Sequence, residues 1–447
     1  GGHAREMPSA ELADESAAAP VWPVAGAGHR VELEGTSWSV WRDVCVRSAG
    51  FPADKVLALC DEPLARSADL AGADPAGRLA YDQAYADAAG RLSRAIAATH
   101  ADPVFREALT WQNPGLAQRL QGAGTSRRSK DRGRELVVAS YLQRYCLKND
   151  TIGFFGPVGW ASTGSGGPGL VVVPGEQLIA RRTTYFEVWA IDKVAAAIAG
   201  QGRVLGWLRP RRTRSAFLAG KVLYRPYRQA VTLTDAELGV LLSCDGRRTI
   251  SDVLARAGGP GGSAVLARLT ELGALRLDLE GPMHAWPERL LREKLELIAD
   301  PGARAAALAP VDQLIRARDA VAAADGDPDG LQQALAGLAE TFEQVTGSAA
   351  TRRAGENYAG RTLVYQDAVR DVQVELGAAV TRALAAPLGL VLDSARWLVN
   401  HIMARYRVLF ADLVDAERAR AGGGPVPLQR LLTRAAPYLS AGMSGRG

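Results

Sequence analysis

The chain has 447 residues, 47% of them hydrophobic and 23% charged, with a net charge of +5. That length is too great for one ordinary core and the balance excludes a disordered chain, so two to four globular domains are expected. The apolar runs are broken by Gly, Pro or charge well short of the ~20 residues a membrane-crossing helix needs, and Gly1–Pro20 carries Glu6, Glu11, Asp14 and Glu15 with no apolar signal core.

Cys45, Cys60, Cys146 and Cys244 lie far apart, with no CxxC pair, and His3, His29, His100, His284 and His401 are scattered. Neither a disulfide scaffold nor a metal site is expected, and the cysteine usage suits a reducing cytoplasm.

In chain order, residues 1–37 read as a loose, disordered lead-in. From Trp38 to Leu120 the spacing is mainly helical, clearest over Asp54–Leu59 and Tyr81–Ala98. A break at Gly122–Arg134 carries Arg127, Arg128, Lys130, Arg132 and Arg134. A helix follows over ELVVASYLQRYCLKND and ends in the turn TIGFFGPVGW. Residues 164–185 read as strands, centred on Leu170–Val173, and Tyr185–Ala199 as helix. Gly202–Arg214 is a second basic stretch, with Trp207, Arg209, Arg211, Arg212 and Arg214.

Residues 215–281 read as a small module. A hairpin turns at Ala219–Gly220 and QAVTL forms a third strand. Thr234 caps a helix with Glu237 placed for a capping box, and Thr249 opens a second helix. SAVLARLTELG is a third helix stopped by Gly273, and ALRLDL closes as a strand. This order is that of a winged helix. Beyond it, Met283–Ala336 is helical with a break at residues 325–330, Thr362–Tyr365 is a short strand and Leu388–Leu413 a long helix. Residues 420–447 are punctuated by Gly and Pro.

Two stretches carry chemistry. Arg144 and Lys148 stand one helical turn apart, before a turn whose Gly153, Gly156 and Gly159 permit close backbone approach. Such a pair can hold a phosphate, a carboxylate or a developing oxyanion, or can be an ordinary solvated face. The two arginine clusters suit a phosphate backbone, with Trp207 able to stack on a base, or are charged loops.

RYCLKNDTIGFFGPVGW is similar to the segment of lantibiotic dehydratases in which a helix with two basic residues runs into an Arg-x-Thr-Pro-Phe-Gly type turn. Arg144 and Lys148 match the two arginines, Asp150 the Thr and Gly153 the turn glycine. Lysine replaces an arginine and the Pro-Phe pair is absent. GRTLVYQDAVRD resembles the stretch that brings an acid to the same site; Asp367 matches the acid and Arg361 is placed for a substrate carboxylate. VLYRPYRQAVTLTDAELGVLLSCDGRRTISDVLA resembles the PqqD-like RiPP recognition element, a winged helix that binds a leader peptide along its sheet edge. For that role Val231, Leu233, Val265, Leu266 and Leu269 are the expected contacts. DNA suits its third helix poorly, since Arg268 is the only basic residue there.

The resemblance implies an α+β (mixed α/β) acyl-transfer domain, residues 38–214 and 282–447, interrupted by a winged-helix insert at 215–281. It implies transfer of an amino acid, glutamate in the family, from aminoacyl-tRNA to Ser or Thr of a ribosomally made precursor peptide. Arg144, Lys148, Asp150, Arg361 and Asp367 would be catalytic. The clusters Arg127, Arg128, Lys130, Arg132, Arg134 and Arg209, Arg211, Arg212 would hold tRNA. No cofactor beyond the aminoacyl-tRNA co-substrate is implied. The expected partners are the precursor leader, tRNA, a separate elimination protein and a second copy in a homodimer, with no membrane. A peptide–aminoacyl-tRNA ligase and a non-catalytic leader-binding scaffold are the alternatives.

Overall fold

The computed structural model describes residues 27–70, 75–120, 129–149, 153–165, 167, 169–226, 228–259, 261–277, 279, 281–352, 362–424 and 426–440. It is a mixed α+β chain that divides into two compact units. One comprises residues 1–46, 159–176 and 371–399, the other 47–158, 177–370 and 400–447.

The first unit is mainly strand. β1 (Arg30–Glu32) and β2 (Ser39–Trp41) form an antiparallel hairpin, Val31 opposite Val40. Residues 27–37, expected to be a loose lead-in, therefore hold ordered structure. β3 (Asp43–Arg47) alternates exposed and half-buried residues, the period-two pattern of a sheet strand, where helix was expected from Trp38 onward. β3 belongs to a four-stranded sheet with β4 (Val158–Ser165), β5 (Leu170–Phe186) and β11 (Val364–Gly377), in the order β3-β4-β11-β5. β5 and β11 are far longer than the short strands expected and have residues in both units. β5 runs straight through Pro174 and Gly175, which read as punctuation in the sequence. Gly175 lies so close to Asp371 that a Cβ there would meet its carboxylate at 2.1 Å.

The second unit holds most of the helices: α1 (Asp54–Leu57), α2 (Glu62–Leu70), α3 (Pro75–Ala101), α4 (Pro103–Gln112), α5 (Pro114–Leu120), α6 (Ser129–Leu147), α7 (Val188–Ala199) and α8 (Gly202–Leu205). Later come α12 (Pro287–Glu296), α13 (Pro301–Ala323) and α14 (Pro328–Thr346). Helix starts follow local chemistry. Asp102, Asp300 and Asp327 each accept a backbone N–H at the N-terminus, and each is followed by a proline preset for the first turn. The break at residues 325–330 is that cap at Asp327.

The module of residues 211–279 follows the expected order of elements. β7 (Phe217–Ala219), β8 (Val222–Tyr224) and β9 (Val231–Thr232) form a sheet in that order. α9 (Asp235–Ser243) begins with the capping box of Thr234 and Glu237, and α10 (Ile250–Val253) with one of Thr249 and Asp252. α10 runs on through a π-helical turn, Leu254–Gly258, to α11 (Gly262–Glu271). β10 (Leu275–Arg276) pairs with β6 (Arg211–Arg212), so the module's pairing starts before residue 215 and takes in the second basic stretch.

At the C-terminal side, α15 (Ala378–Arg420) has 43 residues, well beyond the expected Leu388–Leu413, and α16 (Leu428–Ser440) occupies a stretch read as irregular. α15 is long and apolar enough, by length and composition, to cross a membrane. The expectation that no such run exists is thus corrected. One helix passing that test is weak ground for a membrane span.

Leu233 and Leu269 are 2% and 0% exposed, which places them in the core; Leu266, 6% exposed, is buried at the edge of a cleft, and Val231 and Val265 are half-buried. Leu269→Ala is therefore expected to cost about 2–5 kcal/mol and Val231→Ala much less, read from urea unfolding. Equal small losses would show that Leu269 is not a core residue.

Candidate functional site

The site starts from one aromatic side chain. Tyr145, in the last turns of α6, is fully buried, with ring centroids 5.7 Å from Phe51, 5.7 Å from Phe105 and 5.0 Å from Phe155. Removing rings of this size from water stabilises by roughly 1.5–3 kcal/mol each. The packing fixes the end of α6, where half-buried Arg144 sits in the last turn, a favourable place for a cation against the helix dipole. Lys148 follows, exposed, its N–H donated to the Arg144 carbonyl at 2.9 Å.

The glycine turn is equally constrained. Gly153 has φ +64°, and a Cβ on it would meet the Phe155 ring at 2.9 Å. Gly50 presses on the Phe155 backbone, where a Cβ would sit 2.1 Å away. Phe154 and Phe155 are both buried. The Gly153 N–H donates to the Gln366 carbonyl at 2.7 Å, which sets the turn beside β11, one residue from Asp367.

Along β11, Val364, Gln366 and Ala368 face the core while Tyr365 and Asp367 alternate to the open side. Tyr365 stacks on Tyr185 (5.3 Å), and Tyr185 meets Trp286 (4.6 Å). Asp367 is exposed, yet the protein on its other sides removes enough water to raise its carboxyl above the usual carboxylate range. Burial, with the charges of Asp367 and Glu187, also pushes the Tyr365 phenol up.

Beneath the turn lies a polar network that sequence reasoning missed. Glu107, 1% exposed, pairs with Arg182 at 2.5 Å. Arg182 also reaches Asp325 at 3.5 Å and lies over the Phe154 ring at 4.6 Å. Gln366 Nε2 donates to Asp325 at 2.7 Å. Desolvation raises the Glu107 carboxyl despite Arg182. Arg370, also unforeseen, donates to the Ala49 and Gly50 carbonyls at 2.7 and 3.3 Å. These residues are remote in sequence, and a glutamate within a helix gives no sign of burial.

Of the expected catalytic residues, the structure thus gathers the helix end bearing Arg144, the Gly153 turn and the strand bearing Asp367. Asp150 and Arg361 lie outside the described residues, as do Arg127 and Arg128. Lys130, Arg132 and Arg134 fall on α6 rather than in the expected break, with Arg132 and Arg134 exposed. Arg209 is exposed, and Arg211 and Arg212, on β6, line a cleft of about 640 Å³ with Arg214 and Cys244. Burial and the neighbouring Asp245 push the Cys244 thiol up to about 11, so it is a thiol at neutral pH and no nucleophile. Leu266 lines a second, largely apolar cleft of about 860 Å³ with Leu254, Leu275 and Leu277. Among the described residues no three His, Cys, Asp or Glu side chains gather as metal ligands.

The fold and this arrangement define a mixed α+β protein with a cationic helix end set against an acid-bearing strand. The family described as lantibiotic dehydratase, N terminus, matches residues 101–432, and the chain belongs to that family. Among solved structures, the glutamylation domain TbtB from thiomuracin biosynthesis is 18% identical with a TM-score of 0.58, over 91% of this chain and 57% of that one. The same domain bound to 5'-phosphodesmethylglutamycin gives the same values. The tRNA-dependent lantibiotic dehydratase MibB from Microbispora sp. 107891 is 16% identical with a TM-score of 0.51, over 66% of this chain and 29% of that one. This chain therefore spans less than two thirds of the length of each. Comparison with curated protein sequences finds no match.

The raised Asp367 carboxyl binds its proton more tightly folded than unfolded, so its charge opposes folding above the folded pKa and not below the ordinary carboxylate range. Asp367→Asn should accordingly raise the urea midpoint at pH 7.5, with the gain shrinking toward pH 4. A constant or inverted difference would mean that Asp367 is stabilised as the anion.

Proposed function

We propose that this chain transfers glutamate from glutamyl-tRNA to Ser or Thr side chains of a ribosomally synthesised precursor peptide, the step that precedes dehydration. The observation that carries the reading is the hydrogen bond from Gly153 to Gln366, which sets the turn after the Arg144 helix against the strand of Asp367. The family membership and the likeness to a glutamylation domain agree with it.

In this reading a peptide hydroxyl attacks the ester carbonyl at the tRNA 3′ end. Asp367, with its raised carboxyl, accepts the hydroxyl proton. Arg144 and Lys148 offset charge on the tetrahedral oxyanion or hold the substrate carboxylate. Collapse breaks the ester to the ribose oxygen, which takes the proton from Asp367 and leaves as free tRNA. The product is an O-glutamyl peptide. Asp150 and Arg361 are assigned to the same site on the family motif. Lys130, Arg132, Arg134, Arg209, Arg211 and Arg212, with Arg127 and Arg128, offer distributed cations to the tRNA backbone.

The module of residues 211–279 would act as the leader-binding element. β9 pairs only with β8 among the described residues, so an extended peptide can add there as a further strand. A captured leader keeps each core Ser or Thr at high local concentration near the site.

Mass spectrometry of a Ser/Thr-containing precursor incubated with the full chain and charged tRNA tests this. A base-labile glutamate adduct is expected; a base-stable C-terminal extension would instead indicate a ligase. Arg144→Ala should lower adduct formation by at least about 100-fold, as loss of an oxyanion donor does, and leave leader affinity unchanged. Lost leader affinity with retained acylation would place Arg144 in the wrong site.

A further inference from the structure

The C-terminal helices bring positive charge to the module's sheet. Glu417, near the end of α15, is 2% exposed and is bound by Arg420, by Arg430 at 2.9 Å and by Arg434 at 3.2 Å. Three guanidinium groups thus share one buried carboxylate. Burial alone would push Glu417 up, but the Arg420 hydrogen bond and the charges of Arg430, Arg420 and Arg434 hold it below the usual range. The acid is spent holding α16 to α15, and positive charge is left over. The Arg420 and Arg434 side chains remain 52% and 57% exposed.

This surplus lies against the leader module. Arg430 covers the Tyr224 ring of β8 at 5.7 Å. The Thr433 hydroxyl donates to the Arg225 carbonyl at 3.4 Å, and the same carbonyl accepts the Arg228 N–H at 3.3 Å. Arg228 is exposed, as are Gln229, Ala230 and Thr232. The Leu233 N–H points back to the Lys221 carbonyl, 2.8 Å away. By the alternation of an antiparallel pair, the Thr232 N–H and C=O therefore point outward, to the open edge. Thr232 thus offers one outward donor and one outward acceptor, four residues after the exposed Arg228, on a sheet whose Tyr224 and Arg225 are touched by α16.

We infer that the β9 edge selects an acidic extended peptide, bound by backbone pairing at Thr232 and by the arginines of the 228 loop, α15 and α16. This rests on the reading of residues 211–279 as a leader-binding element, and adds to it the chemical class of leader and a contribution from outside the module. An extended peptide fits better than nucleic acid. A sheet edge offers carbonyl acceptors as well as N–H donors, and phosphates can use only the donors. Among the described residues, the aromatic ring of the neighbouring strand β8, Tyr224, lies under Arg430 and is not open to stack on a base. Clustered arginines give carboxylates charge-assisted hydrogen bonds, and such rim charges govern association rate and salt dependence.

The test uses the full chain and its Arg228→Gln/Arg434→Gln variant, which keeps Arg420 and Arg430 on Glu417, with folding checked by circular dichroism. The probes are a fluorescein-labelled short peptide alternating Leu with Glu, its Leu/Gln counterpart, and uncharged tRNA, read by fluorescence anisotropy at two salt concentrations. The Glu peptide should bind about tenfold or more tightly than the Gln peptide, and the double variant should lose most of that difference without weakening the Gln peptide. Thr232→Pro, which deletes the outward donor and leaves the β8 ladder intact, should weaken both peptides alike. Equal binding of the two peptides by the native chain would overturn the inference, as would a variant that loses tRNA affinity while holding the Glu peptide unchanged. Absence of the glutamate adduct together with intact acidic selectivity would instead fault the proposed reaction and leave this surface standing.

Discussion

The hydrogen bond from the Gly153 amide to the Gln366 carbonyl is the constraint on which the candidate site turns. It closes only because the chain on either side has no freedom. Tyr145 anchors the end of α6 among Phe51, Phe105 and Phe155, and Gly50 lets a neighbouring segment press onto the Phe155 backbone. On the other strand, Gln366 is held through Asp325 and Arg182 to the buried Glu107. A buried acid raised by desolvation is costly, and the Arg182 ion pair offsets that cost, although the Gln366 Oε1 atom is buried without a hydrogen-bond partner among the described residues. Here it fixes the register of β11, and with it the side of the sheet on which Asp367 emerges.

The consequence is a division of labour along β11. Its inward residues, Val364, Gln366 and Ala368, carry structure, and of its outward ones, Tyr365 and Asp367, the proposed reaction uses Asp367. A one-residue slip would exchange the two sets. On the same strand Tyr365 stacks on Tyr185, which meets Trp286, while burial by the surrounding protein raises the Asp367 carboxyl.

What the sequence made legible was local. The hairpin turn at Gly220, the capping box of Thr234 and Glu237, the start at Thr249 and the stop at Gly273 are short-range patterns, and all stand in the structure. What stayed hidden depends on distant partners. β5 could not be read through Pro174–Gly175, because nothing local says that the strand continues to pair beyond them. β11 alternates cleanly only over residues 364–368; beyond Ala368 its residues are mostly half-buried whichever face they take. Of the site, the Arg144 helix, the glycine turn and Asp367 were readable by resemblance. Glu107, Arg182, Asp325 and Arg370 were not, because a charged residue looks solvated until the fold buries it. Leu233 and Leu269, expected as leader contacts, are almost fully buried, while Leu266 is buried and also lines the apolar cleft.

The most direct measurement is hydrogen–deuterium exchange on the full chain with and without a non-hydrolysable glutamyl-adenosine analogue. The account predicts slowed exchange in two segments together, the end of α6 through the Gly153 turn and β11 around Gln366 and Asp367. Protection confined to one of them, or appearing only elsewhere in the chain, would contradict a single site built on their contact.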